Sequence, residues 1–450
     1  GAEPEAEAAA VRLASCPGAV LRGFRCGRIE VPYERADPSL GTIGIGFAVR
    51  RREDRSRARL GTIFAAEGGP GYSSTGSARE YVATFGGLLE RRDLVLVDMR
   101  GTGFSRALRC RGSQAGRLKP QKVVANCASE LGERFFSYRT SAAADDLDSV
   151  RRALGIGRIS LYGDSYGTFL AQSYAFRHGE GLRSLVLDSA YPLSGESPWY
   201  PSGPRTGMRS LRLACARAPA CAGDARSRLR RAVAKLRRNG HSPVPLLNSI
   251  WAAGHSPPKA YLAIDSRLRS LLRSSPRPYR TSTAFSAASP GPPPGRGHRG
   301  GVKAYSSADE MVVSCNDYPM LWKKQATRAE RRKQLKRSIE SYPRRRFAPF
   351  LPAEVARSIF LAYRYCLTAP PPGPLYEPPQ PPGVKAPRAP VLVVSGEMDD
   401  VTTPIEGRYA ARDFPNARRL VVRNAGHVDA LYYPKRRAAR AIRAFLARHG

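Results

Sequence analysis

Apolar and polar positions along this chain fall into blocks. Residues 60–66, LGTIFAA, form an apolar run that ends at EGGPGYSS, too rich in glycine to continue a regular element. DLVLVDMRG at 93–101 is a second such run, closed by a turn. At 143–155, AADDLDSVRRALG has acids early, basic residues late and Gly155 as a stop, the order a helix dipole favours. RISLYG at 158–163 predicts a strand, YGTFLAQSYAFRHG at 166–179 a helix and LRSLVLDSA at 182–190 another strand. Short apolar runs alternating with helical stretches predict a parallel sheet covered on both faces.

The rhythm breaks at about residue 191 and resumes near 380. Between them the pattern is helical, rich in arginine and interrupted by proline. SAASPGPPPGRGHRGG at 286–301 and APPPGPLYEPPQPPGVKAPRAP at 369–390 carry too much proline and glycine for helix or strand, and read as a mobile loop and a linker. PVLVVSG at 390–396 then predicts a strand, IEGRYAARDF at 405–414 a helix, RRLVVRNAG at 418–426 a strand and RRAARAIRAFLARHG at 436–450 a closing amphipathic helix. This order divides the chain into a core begun by residues 1–190, a mainly helical insertion at 191–380, and a core completed by 381–450.

Composition narrows the class. Hydrophobic residues make up 42% of the 450, enough for a sizeable core, and no apolar run reaches the roughly 18 residues a membrane span requires. The net charge of +37 raises the question of nucleic-acid or membrane-surface binding. The arginines are spread along the whole length without interleaved aromatic motifs, which points to a basic solvated surface and no specific nucleic-acid partner. No G-x-x-x-x-G-K phosphate loop is present. Eight cysteines occur without C-x-x-C spacing, which argues against zinc and for disulfides in a secreted protein. Of about 105 pairings eight cysteines allow, neighbours in sequence give Cys16–Cys26, Cys110–Cys127, Cys215–Cys221 and Cys315–Cys366. GAEPEAEAAA at the start lacks the basic and apolar regions of a signal peptide, and reads as a mature end left after cleavage.

The chemistry centres on LYGDSYGTFL at 161–170. Gly163 to Gly167 fit G-x-S-x-G, placed between a predicted strand and a predicted helix, the setting of a nucleophile elbow. A sharp turn there lifts Ser165 above the sheet and aims the backbone N–H of Tyr166 at a developing oxyanion. A serine hydroxyl needs a base, and the base needs an orienting group. Of the six histidines, His178 ends the helix after the elbow, His241 and His255 lie in the insertion, His298 lies in the Pro/Gly stretch and His449 adjoins the end of the chain. Only His427 directly follows a core strand. Between Ser165 and His427, GEMDD at 396–400 supplies adjacent acids. Counting forward from Gly396 selects Asp399 and counting back from Pro404 selects Asp400; Asp399 is preferred because the strand and its glycine set that position. Asp188, after an earlier strand, is a third choice.

With these motifs in view, the chain resembles secreted α/β-hydrolases of the proline iminopeptidase and tripeptidyl aminopeptidase family. EGGPG at 67–71 resembles the family's H-G-G-P-G loop, DMRGTGFS at 98–105 its D-x-R-G-x-G-x-S motif, and GDSYGT, GEMDDVTTP and GH its nucleophile, acid and base motifs. The resemblance is good over 60–190 and 385–450 and loose between. It implies a mostly parallel sheet flanked by helices, a cap formed by the insertion, a serine exopeptidase acting on peptide N-termini, and no metal or organic cofactor. Gly69 N–H becomes the second oxyanion donor. Glu67 stands where the family usually has histidine, and is a candidate for structuring that loop or for holding a substrate ammonium. Glu310 and Asp317 are candidates for the ammonium by position alone. The same residue set would serve an esterase; a non-catalytic binding protein on this scaffold is a further alternative, opposed by retention of all three residue types.

Overall fold

The computed structural model describes residues 11–114, 118–219, 221, 223–273, 278–279 and 303–450. Nine strands form one sheet in the order β1-β2-β3-β5-β4-β6-β7-β8-β9. β1 (Ala14–Ser15), β2 (Arg25–Pro32) and β3 (Thr42–Arg50) run antiparallel, and β3 joins β5 (Arg92–Val97) antiparallel. From there the sheet is parallel through β4 (Gly61–Ala66), β6 (Ile159–Asp164), β7 (Leu182–Asp188), β8 (Val391–Gly396) and β9 (Ala417–Val422). This is the mostly parallel, helix-covered sheet of an α/β hydrolase. The β4, β5, β6 and β8 runs are buried throughout or nearly so, as expected of strands covered on both faces.

Three strands before β4 are absent from the sequence reading. In β3, TIGIGFAVR, glycines take positions where alternation would show side chains. Gly46 is required by a close approach: a Cβ there would stand 2.5 Å from that of Phe104, and its amide donates to Ser105 Oγ at 2.8 Å.

Helices α1 (Ala78–Phe85), α2 (Pro120–Leu131), α3 (Thr140–Ala153) and α4 (Tyr166–Arg177) belong to the first part of the chain. Between β7 and β8 the described residues hold only helices: α5 (Ser202–Ala216), α6 (Ala225–Arg238), α7 (Val244–Ala253), α8 (Lys259–Arg273), α9 (Ser307–Asp317), α10 (Arg328–Ser341) and α11 (Pro352–Val355), followed by 3-10 turns over Ile359–Thr368. α12 (Pro404–Arg412), α13 (Asp429–Tyr432) and α14 (Arg437–His449) complete the core. His298 and the segment 286–301 lie outside the described residues. The stretch 369–390 has no helix or strand.

The cysteines pair as neighbours: Cys16–Cys26, Cys110–Cys127, Cys215–Cys221 and Cys315–Cys366. The last links α9 to the turns at 359–368, inside the region between β7 and β8. Among the described residues no helix is long and apolar enough to cross a membrane.

Candidate active site

Four loops at the C-terminal ends of parallel strands meet at Ser165: those after β4, β6, β8 and β9. Ser165 sits between β6 and α4 with φ 51° and ψ −123°, a left-handed conformation that costs a non-glycine residue about 1–3 kcal/mol. The elbow glycines follow from contact. A Cβ on Gly163 would run into the carbonyl oxygen of Gly167, and one on Gly167 into that of Ala66. Positive φ recurs nearby at Ser189, Tyr200 and Val428.

His427 Nε2 lies 2.9 Å from Ser165 Oγ, and His427 Nδ1 lies 3.1 Å from Asp399 Oδ2. The loop after β8 is docked on the loop after β9: the amides of Glu397 and Met398 donate to the carbonyls of Val422 and Ala425, each at 2.9 Å. That docking brings Asp399 to the histidine. Asp399 Oδ1 accepts from the amides of Val401 at 3.0 Å and Thr402 at 2.9 Å. Burial works to raise its carboxyl, but His427, the Thr402 amide and Ser189 outweigh it and hold Asp399 below the usual carboxylate range. Thr402 Oγ1 stands 3.0 Å from both Asp399 Oδ2 and His427 Nδ1.

Asp400 points elsewhere. It is fully buried, accepts from Tyr261 Oη at 3.1 Å, and has no partner among the described residues for Oδ1. Burial and the neighbouring Asp399 push its carboxyl well above the ordinary range. Asp188 accepts from Tyr162 Oη at 2.9 Å and has no hydrogen bond to His427 among the described residues. Burial pushes it up to about 7.

The loop after β4 closes the other side. A Cβ on Gly68 would come within 2.8 Å of Ser165 Cβ, so this loop lies directly on the serine. Gly69 and Tyr166 both line the cavity at Ser165. Among the described residues neither of their amides has an acceptor. The loop is braced from three directions. Asp98, of the DMRGTGFS segment, accepts from the amides of Thr75 at 2.9 Å and Phe104 at 2.8 Å. The Ser306 amide donates to Gly71 O at 2.9 Å and the Ser73 amide to Ala304 O at 3.2 Å, which clamps the loop from the segment before α9. Glu67 Oε1 accepts from the Gly68 amide at 3.2 Å, and Tyr81 Oη lies between Glu67 Oε2 at 3.2 Å and Asp164 Oδ1 at 2.8 Å.

Glu67 therefore sits behind the loop and is not among the residues that line the cavity. Asp317 is likewise committed elsewhere. Its Oδ2 accepts from the Thr140 amide and hydroxyl, each at 2.6 Å, and Thr140 Oγ1 is 2.7 Å from Tyr166 Oη. It caps α3 and steadies Tyr166 from outside the cavity.

The cavity has a volume of about 100 Å³. Tyr166, Tyr191, Tyr200, Tyr318 and Tyr363 supply much of its wall, and Glu310, Asp400 and Glu406 its carboxyls. Glu310 is buried in the first turn of α9 and accepts from Tyr305 Oη; burial pushes it up to about 8. Glu406 accepts from the Thr403 amide at 2.6 Å, and burial with Glu196 nearby pushes it well above the usual range. The sequence reading missed Glu406, whose only signal was the T-x-x-E capping pattern at 403–406. It also passed over His255, which packs against His427 from the end of α7; the Gly254 carbonyl accepts the His427 amide at 2.9 Å.

The alpha/beta hydrolase fold family matches residues 63–228, and the TAP-like protein family matches residues 356–449. The serine protease Hip1 of Mycobacterium tuberculosis is 29% identical over 192 residues, covering 37% of this chain and 36% of the relative. The tripeptidyl aminopeptidase of Streptomyces lividans is 28% identical over 204 residues, covering 39% of this chain and 37% of the relative. The chain thus spans just over a third of the length of these curated relatives. A crystal structure of proline iminopeptidase from Mycobacterium smegmatis aligns with 94% of this chain and 98% of its own at 17% identity, with a TM-score of 0.41.

Proposed function

We propose that this protein, whose residues 63–228 match the alpha/beta hydrolase fold family and whose residues 356–449 match the TAP-like protein family, is a serine exopeptidase. It acts on peptide N-termini through an acyl-enzyme. The observation that carries this is the 2.9 Å contact of His427 Nε2 with Ser165 Oγ beside a small cavity lined by the buried Glu310. Ser165 Oγ attacks the carbonyl carbon of a peptide bond near the substrate's N-terminus. His427 takes the hydroxyl proton and returns it to the departing amine. Asp399 orients the imidazole and stabilises its charged form. The amides of Gly69 and Tyr166 hold the oxyanion. Water, deprotonated by His427, then releases the acyl group.

Exopeptidase action needs a closed end with a partner for the α-ammonium. Residues 191–380, read as a cap, supply both the tyrosines at 200, 318 and 363 and Glu310. We assign the ammonium to Glu310, which ionises on meeting it. Four disulfides support a place of action outside the reducing cytosol. The test is a fluorogenic panel of mono-, di- and tripeptidyl amides with free and acetylated N-termini, alongside short-chain esters. Cleavage of free-ended amides supports the reading. Turnover of esters alone replaces it with an esterase that uses the same residues.

A further inference from the structure

On the opposite face of α5 from the cavity lies a second concavity, of about 610 Å³. Six of its fourteen lining residues are arginines: Arg205, Arg209, Arg212, Arg226, Arg230 and Arg346. No acid lines it, whereas basic residues are only 74 of 450 in the chain as a whole. The clustering follows from helical spacing. Arg205, Arg209 and Arg212 recur at i, i+4 and i+7 on α5, and Arg226 and Arg230 at i, i+4 on α6, so each helix turns a basic stripe to the groove. All six side chains belong to exposed residues, and none closes an ion pair among the described residues. Arg205 feels the charge of Glu196 and Arg209 that of Glu397, without contact. Between the stripes the floor is apolar, with Leu211, Leu229 and Ile405.

Like-charged guanidinium groups held together without ion-paired partners repel one another, and a ligand bearing several carboxylates relieves that repulsion while forming bidentate pairs. The floor suits intervening aliphatic side chains. No aromatic ring lines the groove, which is a poor fit to stacked bases. The wall that separates groove and cavity is shared. Gly203 and Glu406 line the cavity, while Arg205 and Ile405 line the groove. A helix is about 10–12 Å across, and extended chain advances about 3.3–3.6 Å per residue. A polypeptide with its N-terminus in the cavity would need at least roughly four further residues to pass this wall.

We propose that this groove is an exosite for acidic polypeptide substrates, binding Asp and Glu side chains several residues downstream of the scissile bond. The inference rests on the exopeptidase reading and names its substrate class. It is tested with three substrates sharing one N-terminal sequence: a short amide, a peptide with a neutral Ser/Gly tail, and a peptide with an Asp/Glu tail beginning about five residues beyond the cut. Each is assayed with the wild-type protein and with the triple variant Arg209→Gln, Arg212→Gln, Arg230→Gln. The acidic tail should raise kcat/KM roughly ten-fold over the neutral tail at low salt, as three exposed ion pairs of modest strength allow. That gain should vanish in the triple variant and fall steeply by about 0.5 M salt, while the short amide is cleaved equally by both proteins. Equal cleavage of acidic and neutral tails by the wild type overturns the exosite and leaves the peptidase intact. Fluorescence anisotropy of the acidic-tail peptide on Ser165→Ala separates the two claims. Groove-dependent binding without cleavage by the wild type removes the peptidase reading alone. Equally tight groove-dependent binding of a single-stranded oligonucleotide overturns the acidic-peptide assignment.

Discussion

The rings of His255 and His427 meet edge to face, their centroids 5.2 Å apart and their planes at 73°. His255 follows α7 in the insertion, yet it packs on the imidazole that touches Ser165. It is buried, and burial together with His427 pushes it down to about 3, so it stays neutral across the working pH range. A second charge beside His427 would oppose formation of its imidazolium. A neutral ring instead supports the imidazole by packing alone.

This gives a first prediction. His255→Ala should lower kcat about two- to ten-fold, the range an aromatic edge-to-face pair supports. The acid limb of the pH–rate profile should keep its midpoint. A midpoint that moves in the variant would show that His255 carries charge in the native protein and would remove the packing explanation.

Asp399 and Asp400 are adjacent in sequence but differ in role. Asp399→Asn should lose about four orders of magnitude in kcat, since an amide stabilises the wrong tautomer of the histidine. Asp400→Asn should lose ten-fold or less, because a carboxyl and an amide oxygen can both accept from Tyr261 and neither reaches His427. Steady-state kinetics of the two variants decides the matter, and the reverse order would assign the orienting role to Asp400.

Thr402 stands between Asp399 and His427. Its hydroxyl donates to Asp399 Oδ2 and presents its oxygen to the Nδ1–H of His427, so it limits the freedom of both side chains. Thr402→Val should reduce kcat about ten-fold or more, as expected when a hydrogen bond to a charged group is lost. KM should change little, and Thr402→Ser should restore most of the rate. Equal losses in the Val and Ser variants would point to packing of the methyl group instead.

These predictions show how far the sequence could be read. The parallel strands β4 to β9 were legible because their apolar runs are continuous and the intervening helices amphipathic. β3 was not, because its glycines erase the alternation. Ser165 and His427 stood out because each follows a core strand in a recognisable turn. The choice between Asp399 and Asp400 rested on counting, and the docking of Glu397 and Met398 on the loop after β9 is the physical reason one of them reaches His427. Glu310 and Glu406 arrive at the cavity, and His255 at His427, from segments remote from Ser165 in sequence, and no local pattern announces such meetings. Asp317 stands out only by position along the chain, yet Thr140 and Tyr376 take its two oxygens.

The last prediction concerns the charge that receives a substrate's free end. Glu310 is buried and its carboxyl is pushed up to about 8, so it is neutral below that pH and ionised above it. A substrate α-ammonium has the opposite need, being charged below roughly 8 and neutral above. The two groups bind as an ion pair or, by moving one proton, as a neutral acid and amine. Both descriptions require the same single proton between them. The kcat/KM for free-ended peptides should therefore rise from pH 6 toward a maximum near 8 and fall beyond it. Acetylation removes the ammonium, and with it the alkaline limb. It should also cut kcat/KM at the maximum by about ten-fold or more, the loss of a charge-assisted hydrogen bond. Glu310→Gln should bring the free-ended substrate down to nearly the acetylated rate while leaving the acetylated rate unchanged. A variant that slows both substrates equally would mean that Glu310 shapes the cavity through Tyr305 and holds no ammonium.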